Sequence, residues 1–93
     1  PNYLEARISL AEALRVTGRL EEALPHYEQA VAIDPRFVET WIGGADVLIR
    51  LERYQAASVW LTEARNIHPT RPELTQLAGI VVAALDARLA VGR

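Results

Sequence analysis

Small and large apolar residues recur at helical spacing between Leu20 and Ile33. Ala23, Tyr27 and Ala30 lie four and three residues apart, so they share one face of a helix, with a bulky side chain between two small ones. The helix is expected to end before Pro35, because the residue preceding a proline is pushed out of the helical conformation. Such a face predicts a closely packed neighbouring helix.

The same pattern returns after a shift of 34 residues. Prolines stand at positions 1, 35 and 69, and the residue is repeated in the pairs Ala11/Ala45, Leu14/Leu48, Arg19/Arg53, Ala23/Ala57, Ala30/Ala64 and Ile33/Ile67. This register predicts five helices, over residues 3–16, 20–33, 37–50, 54–67 and 71–89. They form unit one (1–34), unit two (35–68) and a terminal helix (about 69–93) of one domain. Stacked helix pairs predict an all-α, right-handed solenoid whose first helices line a concave groove.

Local signals refine two helix starts and raise one conflict. Asn2 with Glu5, and Thr70 with Glu73, have the spacing of a capping box, which favours helix starts at these two places. Pro25 is expected in or near the first turn of the second helix, where its missing N–H costs little.

The residues in register resemble the tetratricopeptide repeat family over essentially the whole chain. Unit one supplies Leu10, Ala11, Leu14, Gly18, Leu20, Ala23, Tyr27, Ala30 and Pro35, and unit two supplies Trp41, Ala45, Leu48, Tyr54, Ala57, Leu61, Ala64 and Pro69. The departures are Arg7 at the early aromatic position, Gly44 for a leucine and Glu52 for the inter-helix glycine. The resemblance implies a non-enzymatic scaffold for protein–protein recognition.

Composition narrows the functional classes. A formal net charge of −2 argues against general nucleic-acid binding. The longest apolar run, residues 78–85, is far shorter than the roughly 20 residues of a membrane span, which argues against a membrane partner. The chain has no cysteine, methionine or lysine, and the arginine- and alanine-rich usage fits a GC-rich, bacterial genome. The missing methionine indicates a piece of a larger repeat protein.

Catalytic, cofactor and metal signatures are absent from the sequence. Ser9 and Ser58 lie in helices without the strand–turn–helix setting of a nucleophile. His26 has only Glu22 at helical spacing, and His68 stands alone at a helix end, so neither predicts a metal site. We therefore expect no enzyme activity and no cofactor.

A peptide groove is the main candidate site. Its expected lining comes from the first helix of each unit: Glu5, Ile8, Glu12, Arg15, Glu39, Ile42, Asp46, Ile49, Arg50, Glu73, Gln76 and Ile80. Acids outnumber bases there, which favours a basic and apolar peptide. The charges also have a purely structural interpretation, as first-turn carboxylates and as ion pairs along a solvated helix. The lysine and asparagine clamp with which some family members bind acidic C-termini does not match this face.

The terminal helix is apolar on several sides. The candidates for self-association are Leu74, Leu77, Ile80, Val81, Leu85 and Leu89. Either further chain covers this helix, or the chain forms a homo-oligomer through it, or the helix is an ordinary cap. Concentration-dependent dimerisation is the expectation that follows from the second case.

Trp60 points away from the stripe of Ala57, Leu61 and Ala64. It is interpreted either as an anchor for a partner on the outer face or as a partly buried packing residue. Three functions stay open at this stage: a scaffold for a protein or peptide partner, a self-assembly module, and a docking or regulatory segment of a larger catalytic protein.

Overall fold

Five helices in sequential pairs make up the computed structural model, which describes residues 3–91. They are α1 (Tyr3–Val16), α2 (Leu20–Ile33), α3 (Val38–Arg50), α4 (Tyr54–Ile67) and α5 (Pro72–Val91). The all-α repeat fold is therefore confirmed, and every helix bound lies within two residues of the prediction. The outer ends of unit one and of the terminal helix, at positions 1, 2, 92 and 93, lie outside the described residues.

Both turns inside the units use the same backbone device. In the first, Gly18 adopts φ +81° and the Arg19 N–H donates to the Leu14 carbonyl at 2.8 Å. In the second, Glu52 adopts φ +59° and the Arg53 N–H donates to the Leu48 carbonyl at 2.9 Å. This left-handed residue closes a Schellman motif, for which glycine is the usual choice. Glu52 therefore holds a backbone conformation that costs a residue with a side chain about 1 kcal/mol.

Small residues bring the paired helices close together. Ala11, Ala23, Ala30, Ala45, Ala57 and Ala64 are all fully buried. The bulky member of each triplet, Tyr27 in α2 and Leu61 in α4, is buried between two of these alanines. The small–bulky–small face found in the sequence is thus the face that forms the core.

Two adjacent glycines in α3 make room for aromatic rings from both neighbouring helices. A Cβ atom at Gly43 would collide with the ring of Tyr27, and one at Gly44 would collide with the indole of Trp60. Trp60 also donates from Nε1 to the Trp41 carbonyl at 2.8 Å and lies against the Trp41 ring, with centroids 4.8 Å apart. The interpretation of Trp60 as an outer-face anchor is therefore wrong, because its ring fills the space that Gly44 leaves.

Two side chains of unit two meet one carbonyl at the start of the same unit. Trp41 Nε1 donates to the Pro35 carbonyl at 2.8 Å, and His68 Nε2 lies 2.9 Å from the same oxygen. Beside it, Arg36 donates to both carboxylate oxygens of Asp34, at 2.9 and 2.8 Å. These hydrogen bonds hold the pKa of Asp34 at about 2.

Helix α5 packs on unit two with a narrow strip of its surface. Leu74 and Val81 are buried, while Ile80, Val82 and Leu89 are 52%, 58% and 66% exposed. Near its C-terminal end, Arg88 lies 4.7 Å above the Tyr54 ring and donates to Glu52 at 3.2 Å. The self-association candidates therefore divide: for Leu74 and Val81 the prediction is wrong because they form the core, whereas Ile80 and Leu89 lie on the surface.

The prediction about a membrane span needs correction. By length and composition alone, Pro72–Val91 is apolar enough to cross a membrane, so the shortness of the apolar run 78–85 does not by itself exclude a span. That prediction considered one uninterrupted apolar run, whereas the whole of Pro72–Val91 carries only three charged residues, Glu73, Asp86 and Arg88.

The local helix signals also hold only in part. Helix α5 starts at Pro72 and Glu73 pairs with Arg71, which does not fit a capping box with Thr70. Pro25 lies beyond the first turn of a helix that nonetheless runs without interruption. The Asn2 half of the other capping box lies outside the described residues.

Candidate peptide groove

The first helices of the units form one open face, because α3 contacts both α1 and α5. A cavity of about 430 Å³ opens at its centre. Its floor is apolar and its rim is charged. It is lined by Glu12, Arg15, Glu39, Ile42, Gly43, Asp46, Arg50 and Leu77.

Arg15 ties three helices together at the edge of this cavity. Its guanidinium donates to Glu12 Oε2 at 2.6 Å, to Asp46 Oδ2 at 3.0 Å and to the Tyr27 hydroxyl at 3.0 Å. The Tyr27 hydroxyl in turn donates to Glu12 Oε1 at 2.9 Å. Hydrogen bonding to Glu12 raises the pKa of Arg15, and burial raises the pKa of Tyr27 to about 12. The network links the two units and neutralises part of the rim.

The structure brings together most of the predicted groove residues. Glu12, Arg15, Glu39, Ile42, Asp46 and Arg50 line the central cavity, and Glu5, Ile8 and Glu39 line a second cavity between α1 and α3. The predicted residues Ile49, Glu73 and Gln76 line neither of these two cavities. Ile49 packs partly against the core, and Glu73 pairs with Arg71.

Several lining residues were not anticipated. Gly43 and Leu77 complete the floor of the central cavity, and Leu4, Phe37 and Thr40 line the second one. Phe37 is recognisable in the sequence only as the first residue of the predicted third helix. The repeat register offers a signal for Thr40, because it stands 34 residues before the buried Leu74 and therefore at a core position.

The histidines make single contacts. Arg7 donates to His26 Nδ1 at 3.3 Å, and His68 contacts the Pro35 carbonyl. Within residues 3–91, no three carboxylate, imidazole or thiolate side chains are grouped as metal ligands would be. These side chains serve contacts between helices.

A comparison with family models matches residues 17–79, well over half of the chain, to the tetratricopeptide repeat. The chain belongs to the tetratricopeptide repeat family. A search of curated proteins finds no match. Membership of this family indicates a protein–protein interaction module and brings no evidence of catalysis.

The tetratricopeptide repeat pattern explains the core, and the structure explains the departures from it. Gly44 replaces the leucine because Trp60 occupies that space. Glu52 replaces the glycine but keeps its left-handed backbone. Arg7 replaces the aromatic residue and meets His26 where unit two has a pair of tryptophans.

Proposed function

We propose that this tetratricopeptide repeat domain is a scaffold that binds an extended peptide or a partner helix across the face of α1, α3 and α5. The observation that supports it is the cavity of about 430 Å³ at the junction of these three helices. Ile42 and Leu77 offer apolar contact at its floor, and charged side chains surround them. A few charged groups around an apolar floor fix the orientation of a ligand while burial supplies affinity.

The charge of this face favours a basic and apolar ligand. Glu5, Glu12, Glu39, Asp46 and Glu73 stand against Arg15, Arg50 and Arg71. Arg15 and Arg50 already bind Glu12 and Asp46, so neither is a free cation for an acidic ligand. Charge complementarity of this kind increases association rates and selects against acidic competitors.

The test uses a short extended peptide of alternating leucine and arginine, labelled for fluorescence anisotropy. Reversing the rim charges with Glu12→Lys and Asp46→Lys is expected to weaken binding by about tenfold or more. The matched control reverses two exposed carboxylates on the second helices, Glu28→Lys and Glu63→Lys, and should leave the affinity nearly unchanged. Far-UV circular dichroism establishes that each variant is folded.

Because Glu12 and Asp46 also hold Arg15, the variant Ile42→Ala tests the groove without changing any charge. It removes apolar contact from the cavity floor and should weaken the same peptide several-fold. Equal affinity of the groove variants and the outer-face control would refute the proposal.

A second candidate function is self-association through α5, favoured by one observation. Ile80, Val82 and Leu89 are more than half exposed, and nothing lies within 4 Å of a Cβ built on Gly79. At the equivalent positions of the two units, Ala11 and Ala45 are covered by a second helix. A helix from another copy would cover the same strip here.

Mass measured by light scattering against concentration tests this second candidate. The wild-type chain should dimerise, and Ile80→Glu with Leu89→Glu should stay monomeric; Val81 is unsuitable because it is buried. A monomeric wild-type chain at about millimolar concentration would exclude self-association. Flotation of that monomer with lipid vesicles would assign the apolar strip to a membrane surface instead.

A further inference from the structure

A second cavity, of about 330 Å³, lies between the first halves of α1 and α3. Leu4, Ile8 and Phe37 provide an apolar lining, and Phe37 is 45% exposed. Glu5 and Glu39 stand on its walls, one on each helix. The cavity thus combines an apolar channel with two carboxylates.

The two carboxylates differ from those in the centre of the groove. Asp46 accepts a hydrogen bond from Arg15 on one oxygen and from Arg50 on the other. Glu12 accepts one from Arg15 and one from the Tyr27 hydroxyl. Glu5 and Glu39 are exposed and make no hydrogen bond or ion pair with residues 3–91. Arg71 donates its hydrogen bonds to Glu73, and these are the main cause of its raised pKa. The charge of Glu39 raises the pKa of Arg71 by less.

A buried hydroxyl in the same cavity has no partner among the described residues. Thr40 is 1% exposed, and its Oγ1 makes no hydrogen bond there. Leaving a buried hydroxyl unsatisfied costs about 1–3 kcal/mol, so the cost is recovered when a ligand supplies the missing hydrogen bond. Thr40 lines the same cavity as Glu5 and Glu39, which places this requirement near two negative charges.

The charges of the two helix N-termini and of the two carboxylates determine which ligand charge the cavity favours. Glu5 and Glu39 lie in the first turns of α1 and α3, whose N-termini each carry about half a positive elementary charge. Two full negative charges exceed these two half charges, so the cavity remains net negative. An anionic group is disfavoured there and a cationic one is favoured.

We propose that this cavity binds the side chain of an arginine in the peptide that occupies the groove. Leu4, Ile8 and Phe37 contact its methylene groups and the guanidinium donates to Glu5 and Glu39, while rotation of the Thr40 side chain toward the cavity lets Oγ1 accept a further N–H. The five donors of a guanidinium match two carboxylates and a hydroxyl better than the three donors of an ammonium do. This assignment rests on the proposed function of the groove and names the residue type that it selects.

The experiment compares the leucine–arginine peptide with a counterpart in which citrulline, an uncharged isostere, replaces every arginine. The wild-type domain should prefer the arginine peptide by about tenfold or more. Glu5→Gln with Glu39→Gln should bring the ratio of the two affinities close to one, because the guanidinium loses both carboxylates. Glu28→Gln with Glu63→Gln, on the second helices, is the matched control and should keep the preference.

Thr40→Val separates a ligand contact from a structural role. It replaces the hydroxyl with a methyl group of the same shape, so it should raise the unfolding free energy of the unliganded domain and yet weaken the arginine peptide several-fold. If Thr40→Val binds the arginine peptide as tightly as the wild type, the hydroxyl makes no contact with the ligand and that part of the proposal is refuted.

The outcomes distinguish the two proposals. If neither peptide binds the wild-type domain, the groove proposal fails. If the arginine peptide binds and Glu5→Gln with Glu39→Gln retains the full preference over citrulline, the groove proposal stands and the arginine subsite is refuted.

Discussion

Arg7 and His26 in unit one occupy the same two repeat positions as Trp41 and Trp60 in unit two. The first pair meets through one hydrogen bond of 3.3 Å, and the second through ring centroids 4.8 Å apart at an interplanar angle of 56°. A third position follows the change, since Leu10 in unit one corresponds to Gly44 in unit two. One backbone register therefore accommodates either a polar pair beside a leucine or an aromatic pair beside a glycine.

The two solutions differ in how well they are packed. Trp41 is buried, and Gly44 is in contact with the indole of Trp60. In unit one, Leu10 is 46% exposed, and Arg7 Nε is buried without a hydrogen-bond partner in the described part of the chain. Unit two should therefore contribute more to the unfolding free energy, and substitutions at matched positions can measure the difference.

The largest effect is expected at the tryptophan pair. Trp60→Ala removes an indole that fills the space above Gly44 and satisfies the Trp41 carbonyl, so it should lower the unfolding free energy by about 3 kcal/mol. His26→Ala, at the same repeat position, should lower it by less than about 1 kcal/mol. Urea unfolding followed by circular dichroism measures both, and equal losses would contradict the comparison.

The comparison extends to high pH, because unit one has the titratable Tyr27 where unit two has Leu61, which does not titrate. Burial raises the pKa of Tyr27 from 10 in the unfolded chain to about 12 in the folded one. The folded chain keeps a proton that the unfolded chain loses, so stability is preserved below pH 10 and falls as the pH rises to about 12. The loss should reach roughly 2–3 kcal/mol.

The absence of lysine leaves few other groups to titrate in this pH range. Urea unfolding at neutral pH and near pH 12 tests the prediction, with Tyr27→Phe as the control that should lose less stability across the range. The same decrease in Tyr27→Phe would show that the buried hydroxyl is not its cause.

The glycine in unit two should be intolerant of substitution only while its tryptophan is present. Gly44→Ala places a Cβ atom against the Trp60 indole and should cost about 2 kcal/mol. In a Trp60→Ala background the same change should cost nothing, because the clash is gone. Gly79→Ala, which meets open space, should stabilise α5 by up to about 1 kcal/mol. Additive effects of Gly44→Ala and Trp60→Ala would reject this coupling.

The two turns give the smallest effects, of opposite sign. Gly18→Ala forces a side chain into a left-handed conformation and should destabilise the domain by about 1 kcal/mol. Glu52→Gly relieves the same conformation in unit two and should stabilise it by up to about 1 kcal/mol, less a small loss from the exposed Arg88 pair. Glu52→Ala keeps the conformation and loses only the pair, so thermal unfolding of the three variants separates the two contributions.

Much of the fold could be predicted because periodicity and punctuation agree. The small–bulky–small triplets show which face of α2 and of α4 packs inward. Gly18 and Pro35 mark where the first two helices end. The role of Trp60 could not be predicted from its own helix, because it depends on space left by Gly44 in another one. The available signal was a paired change between the units: Leu10 becomes the smaller Gly44 where His26 becomes the larger Trp60.

The terminal helix shows where periodicity fails. Ile80, Val81 and Val82 are consecutive and apolar, so the pattern does not indicate which of them faces the core. Only the packing of α5 on unit two distinguishes Val81, which is buried, from its neighbours. The face shared by the first helices was easier to predict, since it follows from the repeat register, but the unpaired hydroxyl of Thr40 depends on three-dimensional surroundings.

The Arg15 bridge gives the pair of units its mechanical character. A repeat array flexes like a spring when neighbouring units rotate about the joint between them. Here such a rotation would break the hydrogen bond from Arg15 to Asp46 and would separate the Tyr27 ring from the backbone of Gly43. These contacts therefore oppose rotation of one unit against the other, so that both units together would position a peptide in the proposed groove.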